Sequence, residues 1–209
     1  ARFIGKPAAL LFSTGYMANL GVLAALAGRR GEVFADKLNH ASLVDAAQLS
    51  DATFTRYRHT DLSQLEGQLA ASRAQDKLIV SDLVFSMDGD TAPVDALLDL
   101  AERYDAWLYL DDAHGFGVLN EGRGGLTKRA RASDRVVYLA TLGKAAGVAG
   151  AAVAAHQSVI DWLIQKARSY VYTTASPPLL AACLLESLRQ IEAGDARRER
   201  LRGHIAQLR

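Results

Sequence analysis

Cysteine is almost absent from this sequence. Cys183 is the single cysteine among 209 residues, which excludes an internal disulfide and a zinc site built from several cysteines. No apolar run reaches the roughly 20 residues that a membrane-spanning helix needs, and the first residues, ARFIGKPAALLF, lack the pattern of a signal peptide. We therefore expect a cytoplasmic protein that does not bind a membrane.

An excess of charge of one sign is also missing. The 24 basic and 23 acidic residues leave a formal net charge of +1, which creates no field that would attract nucleic acid. Arginines are crowded only between Asp195 and Arg209, where acidic residues are interspersed among them. This mixture favours a solvated helix over a nucleic-acid-binding arm, so we predict no nucleic-acid partner.

Common nucleotide-binding motifs are incomplete in this chain. The pair Gly115 and Gly117 has no third glycine at the spacing of a dinucleotide-binding loop. Gly143-Lys144 resembles the end of a phosphate-binding P-loop, but Tyr138 stands at the position of the first glycine and Ala145 replaces the magnesium-binding Ser or Thr. We also predict no metal, because the acidic residues near His114 have no further obvious ligands.

Short apolar runs alternate with helical patterns along most of the chain. Helices are predicted where apolar residues recur at helical spacing, and strands where β-branched, aromatic or other apolar residues cluster. The predicted strands cover residues 8–12, 32–35, 53–57, 78–85, 135–141 and 149–155, and the predicted helices cover 17–27, 42–49, 61–71, 93–104, 158–170 and 179–191. The helix over 93–104 carries an apolar stripe that runs from Val94 to Tyr104. This alternation predicts an α/β fold of three layers, α/β/α, with a mainly parallel central sheet.

The stretch LYLDDAHGFG, residues 108–117, places acidic residues at the end of a further predicted strand. Apolar residues lead up to Asp111 and Asp112, His114 follows, and two glycines allow the backbone to turn away. Open α/β sheets bind their ligands at the carboxyl ends of their strands. This stretch is therefore the first candidate for a functional site.

Pyridoxal phosphate would explain three such strand ends together. It needs a lysine for its aldehyde, a carboxylate opposite its pyridine nitrogen and a site for its phosphate. Asp111 ends one predicted strand and Lys144 follows another, while Thr14-Gly15-Tyr16 opens a predicted helix whose N–H groups suit a phosphate. Taken singly, each feature also has an ordinary reading as a helix cap or a surface charge.

Six segments taken together resemble the α-oxoamine synthases, pyridoxal-phosphate enzymes of the aspartate-aminotransferase fold, also called fold type I. The matching segments span nearly the whole chain in the order of the family. They are STGYMAN at Ser13, NHASLVDAA at Asn39, FSMDGDTAP at Phe85, LDDAHGFGVL at Leu110, TLGKAAGVAG at Thr141 and YTTASPP at Tyr172. The fold that this resemblance implies is the large domain of fold type I.

The resemblance also implies a role for individual residues. Lys144 resembles the lysine that links to the cofactor, Asp111 the partner of the pyridinium nitrogen, and His114 the residue that binds the phenolic oxygen of the ring. His40 resembles the histidine stacked on the ring, and Ser86 another cofactor contact. The positions similar to the phosphate side are Thr14, Gly15, Tyr16 and Thr141, while Thr174 resembles a residue that reaches the phosphate of a neighbouring subunit, which implies a homodimer.

Within the family, the segments around Asp90, Asp111 and Lys144 are most similar to the member that condenses L-alanine with a pimeloyl thioester. The thiol carrier is coenzyme A or acyl carrier protein, and the residues do not distinguish the two. Two alternatives stay open: a glycine-using member, such as glycine C-acetyltransferase or 5-aminolevulinate synthase, and a non-catalytic core or dimerisation module.

Family members are longer than this sequence at both ends. The chain starts at Ala1 without an initiator methionine, so we expect an excerpt or a processed form. Residues 1–191 are expected to form the pyridoxal-phosphate-binding large domain, truncated at its N-terminal side. Residues 192–209 are expected to form a helix that leads towards a missing C-terminal small domain.

Overall fold

The computed structural model describes residues 1–208, which contain one seven-stranded sheet with helices on both faces. The strands are β1 (Ala8–Phe12), β2 (Gly31–Asp36), β3 (Thr53–Tyr57), β4 (Asp76–Asp82), β5 (Ala106–Asp111), β6 (Val136–Thr141) and β7 (Ala151–Ala155). The helices are α1 (Gly15–Leu26), α2 (Ala41–Leu49), α3 (Leu62–Ala71), α4 (Val94–Arg103), α5 (Lys128–Ala132), α6 (Gln157–Lys166), α7 (Arg168–Val171), α8 (Pro178–Glu192) and α9 (Asp195–Leu208). Within these residues no helix combines the length and hydropathy that crossing a membrane requires.

The sheet is mainly parallel, as the alternation of elements predicted. Its strand order is β1-β7-β6-β5-β4-β2-β3. The pairs among β3, β2, β4, β5 and β6 are parallel, whereas β7 runs antiparallel to both β1 and β6. Since β7 alone is reversed, the carboxyl ends of the other strands lie at one edge of the sheet.

Each face of the sheet is covered by its own hydrophobic core. Successive strand residues point to opposite faces, so Val33 packs under α1, α2 and α6, while Phe34 packs under α3 and α4. Tyr109 and Leu110 divide between the two cores in the same way. The predicted α/β/α arrangement of three layers is thereby confirmed.

The strand predicted over residues 78–85 ends early. β4 stops at Asp82, and the chain then reverses, because Val84 forms an isolated antiparallel bridge with Thr91 and Gly89 adopts a positive φ of 72° within the turn. Phe85 is nevertheless buried. An apolar run indicates which residues are buried, and here the buried residues extend past Asp82, where the strand pairing ends.

The single helix predicted over residues 158–170 is wrong, since α6 and α7 are separate. Ala167, between them, has an extended conformation with ψ of 99° and packs against α1, where a Cβ on Gly21 would lie 3.2 Å from the Ala167 Cβ. Alanine favours helices, so the sequence carries no signal for this break. The strand predicted from residue 149 begins at Ala151, because Gly150 turns the chain with a positive φ of 93°.

Candidate functional site

The carboxyl ends of β1, β2, β4, β5 and β6 surround one cleft. Asp82 lies opposite Asp111 in the register of β4 and β5, and both Phe12 and Thr141 lie opposite Ala151 of β7. The loops that leave these ends enclose a volume of about 240 Å³. Its walls are formed by Gly15, Tyr16, Asn19, His40, Ser42, Asp82, Ser86, Asp111, Ala113, His114, Thr141 and Lys144.

The cleft brings together most of the residues that the sequence singled out. Eight predicted site residues line it: Gly15, Tyr16, His40, Ser86, Asp111, His114, Thr141 and Lys144. Thr14 does not line it; its hydroxyl caps α1 by accepting a hydrogen bond from the Met17 N–H at 3.1 Å. Thr174 lines a different cavity beside Phe12 and Pro177, so its predicted contact with a neighbouring subunit stays a prediction.

Asp111 is a buried carboxylate held by two donors. Its Oδ2 accepts from Asn19 Nδ2 at 2.9 Å and its Oδ1 from the Ala113 N–H at 3.1 Å. Asn19 is fixed in turn by the Tyr109 hydroxyl, which donates to Asn19 Oδ1 at 2.6 Å. Burial raises the pKa of Asp111, although the two hydrogen bonds oppose that shift. Because the Asp111 carboxylate is shielded from water, it would bind a neighbouring cation strongly.

Asp112, the next residue, belongs to the opposite face of the sheet and is fully buried. Its Oδ2 accepts from the Tyr138 hydroxyl at 2.6 Å and from the Gly125 N–H at 2.7 Å. Burial raises the pKa of Asp112 to about 7, despite these hydrogen bonds. Of the two adjacent aspartates, Asp111 faces the cleft, whereas Asp112 anchors the loop that contains Gly125.

The burial of Asp112 has a consequence for stability that can be measured. Because its folded-state pKa lies above 3.8, the unfolded chain loses this proton first, and stability falls as pH rises through the window up to about 7. The Asp112→Asn variant lacks this titration. Its free energy of unfolding is therefore expected to rise relative to the unsubstituted chain between about pH 4 and about pH 7 in urea titrations. The exposed matched variant Asp88→Asn should show no such trend, and an equal trend in both would contradict the assignment.

Lys144 and His114 form a pair at the open side of the cleft. Lys144 Nζ lies 2.9 Å from His114 Nε2. Burial lowers the pKa of His114, and the charges of Lys144 and His40 lower it further, which favours the neutral imidazole, whose Nε2 can then accept a hydrogen bond from the Lys144 amine. The loop after Lys144 is closed by a hydrogen bond from the Gly147 N–H to the Lys144 carbonyl at 2.9 Å.

His40 is fixed by backbone and side-chain contacts at the start of α2. Its Nδ1 caps the helix by accepting from the Ser42 N–H at 3.2 Å, and its own N–H donates to Asp82 Oδ2 at 2.6 Å. Asn39 ties the same turn to β4 through the Val80 carbonyl at 2.9 Å. Burial, followed by the charge of Asp111, raises the pKa of Asp82 to about 7.

The amino end of α1 meets Thr141 at the far end of the cleft. A Cβ built on Gly15 would lie 3.0 Å from Thr141 Oγ1, so a larger residue would crowd the threonine hydroxyl. Helix amino ends attract anions through free N–H groups and the helix dipole. The Tyr16 hydroxyl is directed away and donates to Asp45 of α2. This end of the cleft is suited to a phosphate.

Four residues of the cleft were missed by the sequence reasoning: Asn19, Ser42, Asp82 and Ala113. Asn19 lies in an apolar helical run, and only the fold brings it to Asp111. Asp82 had a usable signal, because it ends a buried strand in the same way as Asp111 does. Ser42 Oγ lies 2.7 Å from His40 Nδ1, a local contact, and accepts from Asn19 Nδ2 at 2.8 Å, a contact that only the fold brings about.

Curated relatives match the chain along its whole length. The 8-amino-7-oxononanoate synthase of Thiobacillus denitrificans is 78% identical over 209 residues, which cover 100% of this chain and 54% of the relative. The enzyme of the same name from Chromobacterium violaceum is 61% identical and covers 100% of this chain and 55% of its own length. The chain thus spans about half the length of these relatives.

Solved structures share the fold. A serine palmitoyltransferase from S. paucimobilis with a bound PLP-myriocin aldimine superposes with a TM-score of 0.90 at 31% identity, covering 97% of this chain and 51% of that one. An 8-amino-7-oxononanoate synthase from Francisella tularensis gives 0.86 at 37% identity, covering 99% and 60%. The family model described as aminotransferase class I and II matches residues 1–209. The chain therefore belongs to the aminotransferase class I and II family.

Proposed function

We propose that this chain carries the pyridoxal-phosphate site of an 8-amino-7-oxononanoate synthase. The reaction condenses L-alanine with a pimeloyl thioester and releases CO2 and the free thiol carrier, in biotin biosynthesis. The observation that carries the proposal is the approach of Lys144 Nζ to His114 Nε2 at 2.9 Å in the cleft that also holds the buried Asp111. The names and identities of the curated relatives support the choice of substrates.

The residues of the cleft fit pyridoxal phosphate in their chemistry. An amine suited to the aldehyde, a desolvated carboxylate suited to a protonated ring nitrogen and a helix amino end suited to a phosphate come from three separate strand ends. The narrow gap between Gly15 and Thr141 Oγ1 supports the phosphate end. Serine palmitoyltransferase structures that contain PLP share this fold.

Bound pyridoxal phosphate supplies an aldehyde that reacts with amines and a protonated ring that accepts an electron pair from the substrate α-carbon. In this proposal the Lys144 amine would hold the cofactor through its aldehyde and would also serve as the base that takes the α-proton of the substrate. His114 Nε2 lies 2.9 Å from Lys144 Nζ and is within reach to orient the Lys144 amine. With the cofactor bound, the His114 ring would be the group that hydrogen-bonds the phenolic oxygen.

Asp111 keeps the proton on the ring nitrogen, because its desolvated carboxylate favours a neighbouring cation. Asn19 and Ala113 hold that carboxylate in place. His40 lines the cleft where it would hold one face of the cofactor ring, and Ser86 would be a further cofactor contact at the mouth of the cleft. Gly15, Tyr16 and Thr141 would bind the phosphate through main-chain N–H groups and the Thr141 hydroxyl. Thr14, which does not line the cleft, would support this phosphate side by capping the amino end of α1.

A homodimer in the cytoplasm completes the proposal. Large apolar side chains are exposed on α8 and just before it, including Tyr172, Leu179 and Leu185, and such a patch favours contact with another chain. Thr174 lies in the same segment and is proposed to reach the phosphate of the neighbouring subunit. The lone Cys183 is consistent with a reducing compartment.

The domain division predicted from the sequence is also a proposal. Residues 1–191 form the cofactor-binding unit, and residues 192–209 lead out of it. Support comes from α9, where Arg198 is the buried residue and the rest of the described helix is exposed or nearly so. Arg198 Nη1 donates to the Ile191 carbonyl at 2.7 Å, which fixes the start of α9 against the end of α8.

The proposal is tested with the purified chain, pyridoxal phosphate and two amino acids. We expect saturable binding of the cofactor with a visible absorption band, followed by exchange of the α-hydrogen of L-alanine for deuterium in NMR spectra. Pimeloyl thioesters of coenzyme A and of acyl carrier protein are then compared as acyl donors. Formation of 8-amino-7-oxononanoate with one or both confirms the function and identifies the carrier.

Other outcomes distinguish the alternatives. Exchange with glycine but not with L-alanine would assign the chain to a glycine-using member of the family. An absent absorption band would contradict the cofactor site and favour a non-catalytic core. Serum albumin, which has unrelated surface lysines, serves as the control for nonspecific attachment of the aldehyde.

A further inference from the structure

His59 joins two loops outside the cleft. It lies between β3 and α3, and its ring donates or accepts at both nitrogens: Nδ1 lies 3.0 Å from Asp36 Oδ1 and Nε2 lies 2.8 Å from Asp90 Oδ2. Asp36 ends β2, whereas Asp90 belongs to the loop that follows β4. The ring also packs edge-on against Phe85 with 4.5 Å between ring centroids.

Two carboxylates facing one imidazole require a proton on each ring nitrogen. Burial by itself lowers the pKa of His59, but the hydrogen bonds and charges of Asp36 and Asp90 together raise it above 6.5. These two carboxylates are the titratable groups that act on His59 in the described part of the chain. Their stabilising contacts are complete below pH 6.5 and are lost as pH rises through the folded-state pKa.

The Asp36 side of His59 leads to His40. Asp36 is buried, and its Oδ1 also accepts from the Leu38 N–H at 2.8 Å, which shapes the turn immediately before His40. Its Oδ2 accepts from the Thr60 N–H at 2.8 Å. A shift of the Asp36 carboxylate would therefore be transmitted to the segment that positions His40.

The Asp90 side of His59 leads to Ser86. The Asp90 carbonyl accepts from the Phe85 N–H at 3.0 Å, and the Phe85 carbonyl accepts from the Gly89 N–H at 2.8 Å. These bonds close a tight turn that contains Ser86 at the mouth of the cleft. The contact of His59 with Asp90 therefore also fixes the position of Ser86.

We propose that His59, which contacts Asp36 and Asp90 through its two ring nitrogens, is a positioning residue that ties the turn before His40 to the turn containing Ser86 and so sets the cleft for its ligand. The inference rests on the proposed function in one respect, that the ligand is pyridoxal phosphate. When His59 loses a proton, its ring donates to one carboxylate only, and one of the two turns is released. Only one of the two turns that line the cleft is then fixed by His59.

The test combines cofactor binding with amide hydrogen exchange. In the chain without cofactor, His59→Gln is expected to lower the exchange protection of the Leu38, Thr60 and Phe85 amides. At about pH 6 the variant should bind pyridoxal phosphate about tenfold more weakly than the unsubstituted chain, a typical size for coupling between sites. Towards about pH 9 the two affinities should converge, since the unsubstituted chain loses the same contact.

Matched variants separate this role from a general loss of stability. His204→Gln makes the same substitution on the exposed surface of α9 and should leave both measurements unchanged. Asp90→Asn removes one of the two facing charges without a change of shape, so it tests the tie even where His59→Gln folds poorly. Combining it with His59→Gln should add little to either single effect, because both remove one contact.

Unchanged exchange protection together with an unchanged pH dependence of binding in His59→Gln would overturn the inference. Failure of the unsubstituted chain to bind pyridoxal phosphate at any pH would instead overturn the proposed function. The exchange measurement, made without cofactor, still decides whether His59 ties the two turns. The two failures are therefore distinguishable.

Discussion

Replacing Lys144 by alanine is expected to abolish covalent attachment of pyridoxal phosphate. Borohydride reduction followed by peptide mapping should place the reduced cofactor on Lys144 in the unsubstituted chain and on no lysine in the Lys144→Ala variant. Deuterium exchange at the α-carbon of L-alanine should fall by about 10³-fold or more, because the amine that removes the proton is gone. His114 would lose the donor that lies 2.9 Å from its Nε2.

The control for this prediction is Lys128→Ala, which removes an exposed lysine at the start of α5. It should keep both attachment and exchange. A reduced link that moved to another lysine in Lys144→Ala, with exchange retained, would show that the cleft identified here is not the reactive one. Addition of a small primary amine that restored part of the exchange rate would support the role of Lys144 as a base.

Replacing Asp111 by asparagine is expected to slow the same exchange by about 10²- to 10³-fold, the usual cost of losing one electrostatic partner of a developing charge. An amide does not favour a proton on the ring nitrogen as a carboxylate does. The variant should also bind the cofactor more weakly. An exchange rate equal to that of the unsubstituted chain would remove Asp111 from the proposed role.

The Asp111→Asn substitution should affect the stability of the chain much less than its activity. Burial raises the pKa of Asp111, so a neutral side chain relieves the desolvation of a charge, and the melting temperature should not fall in proportion to activity. The amide oxygen can still accept from Asn19 Nδ2. Asp112→Asn is the matched comparison, because it changes the adjacent aspartate on the opposite face and should leave α-proton exchange nearly intact.

Much of the fold could be predicted because local and global preferences agree in this chain. The strand Thr53–Tyr57 has the predicted bounds, and the apolar stripe before Tyr104 is buried as α4. Predictions failed where a contact with a distant segment determines the backbone conformation. Ala167 breaks the helix against α1, and Asp82 ends its strand where the chain folds back onto Thr91; neither event has a glycine or proline at the break itself.

The candidate site shows the same division. Asp111 and Lys144 could be predicted because each follows a recognisable strand and belongs to a motif of the family. The contacts that position the residues of the cleft could not, since Asn19 reaches Asp111 and His59 reaches Asp90 only across the folded chain. Hydrogen-bond partners far apart in sequence leave no periodicity, so the positioning residues of a site are harder to predict than its reactive ones.

The reversed strand β7 affects the order in which the molecule can form during synthesis. β1 precedes the other six strands in the chain and so leaves the ribosome before them, yet its sheet partner is β7, with Ala8 opposite Ala155. The edge formed by β2, β3, β4 and β5 can pair before β7 exists. Closing so long a loop is slow because its entropic cost precedes any contact. The part of the cleft next to Gly15 and Thr141 is consequently assembled last, after the nascent chain has passed residue 155.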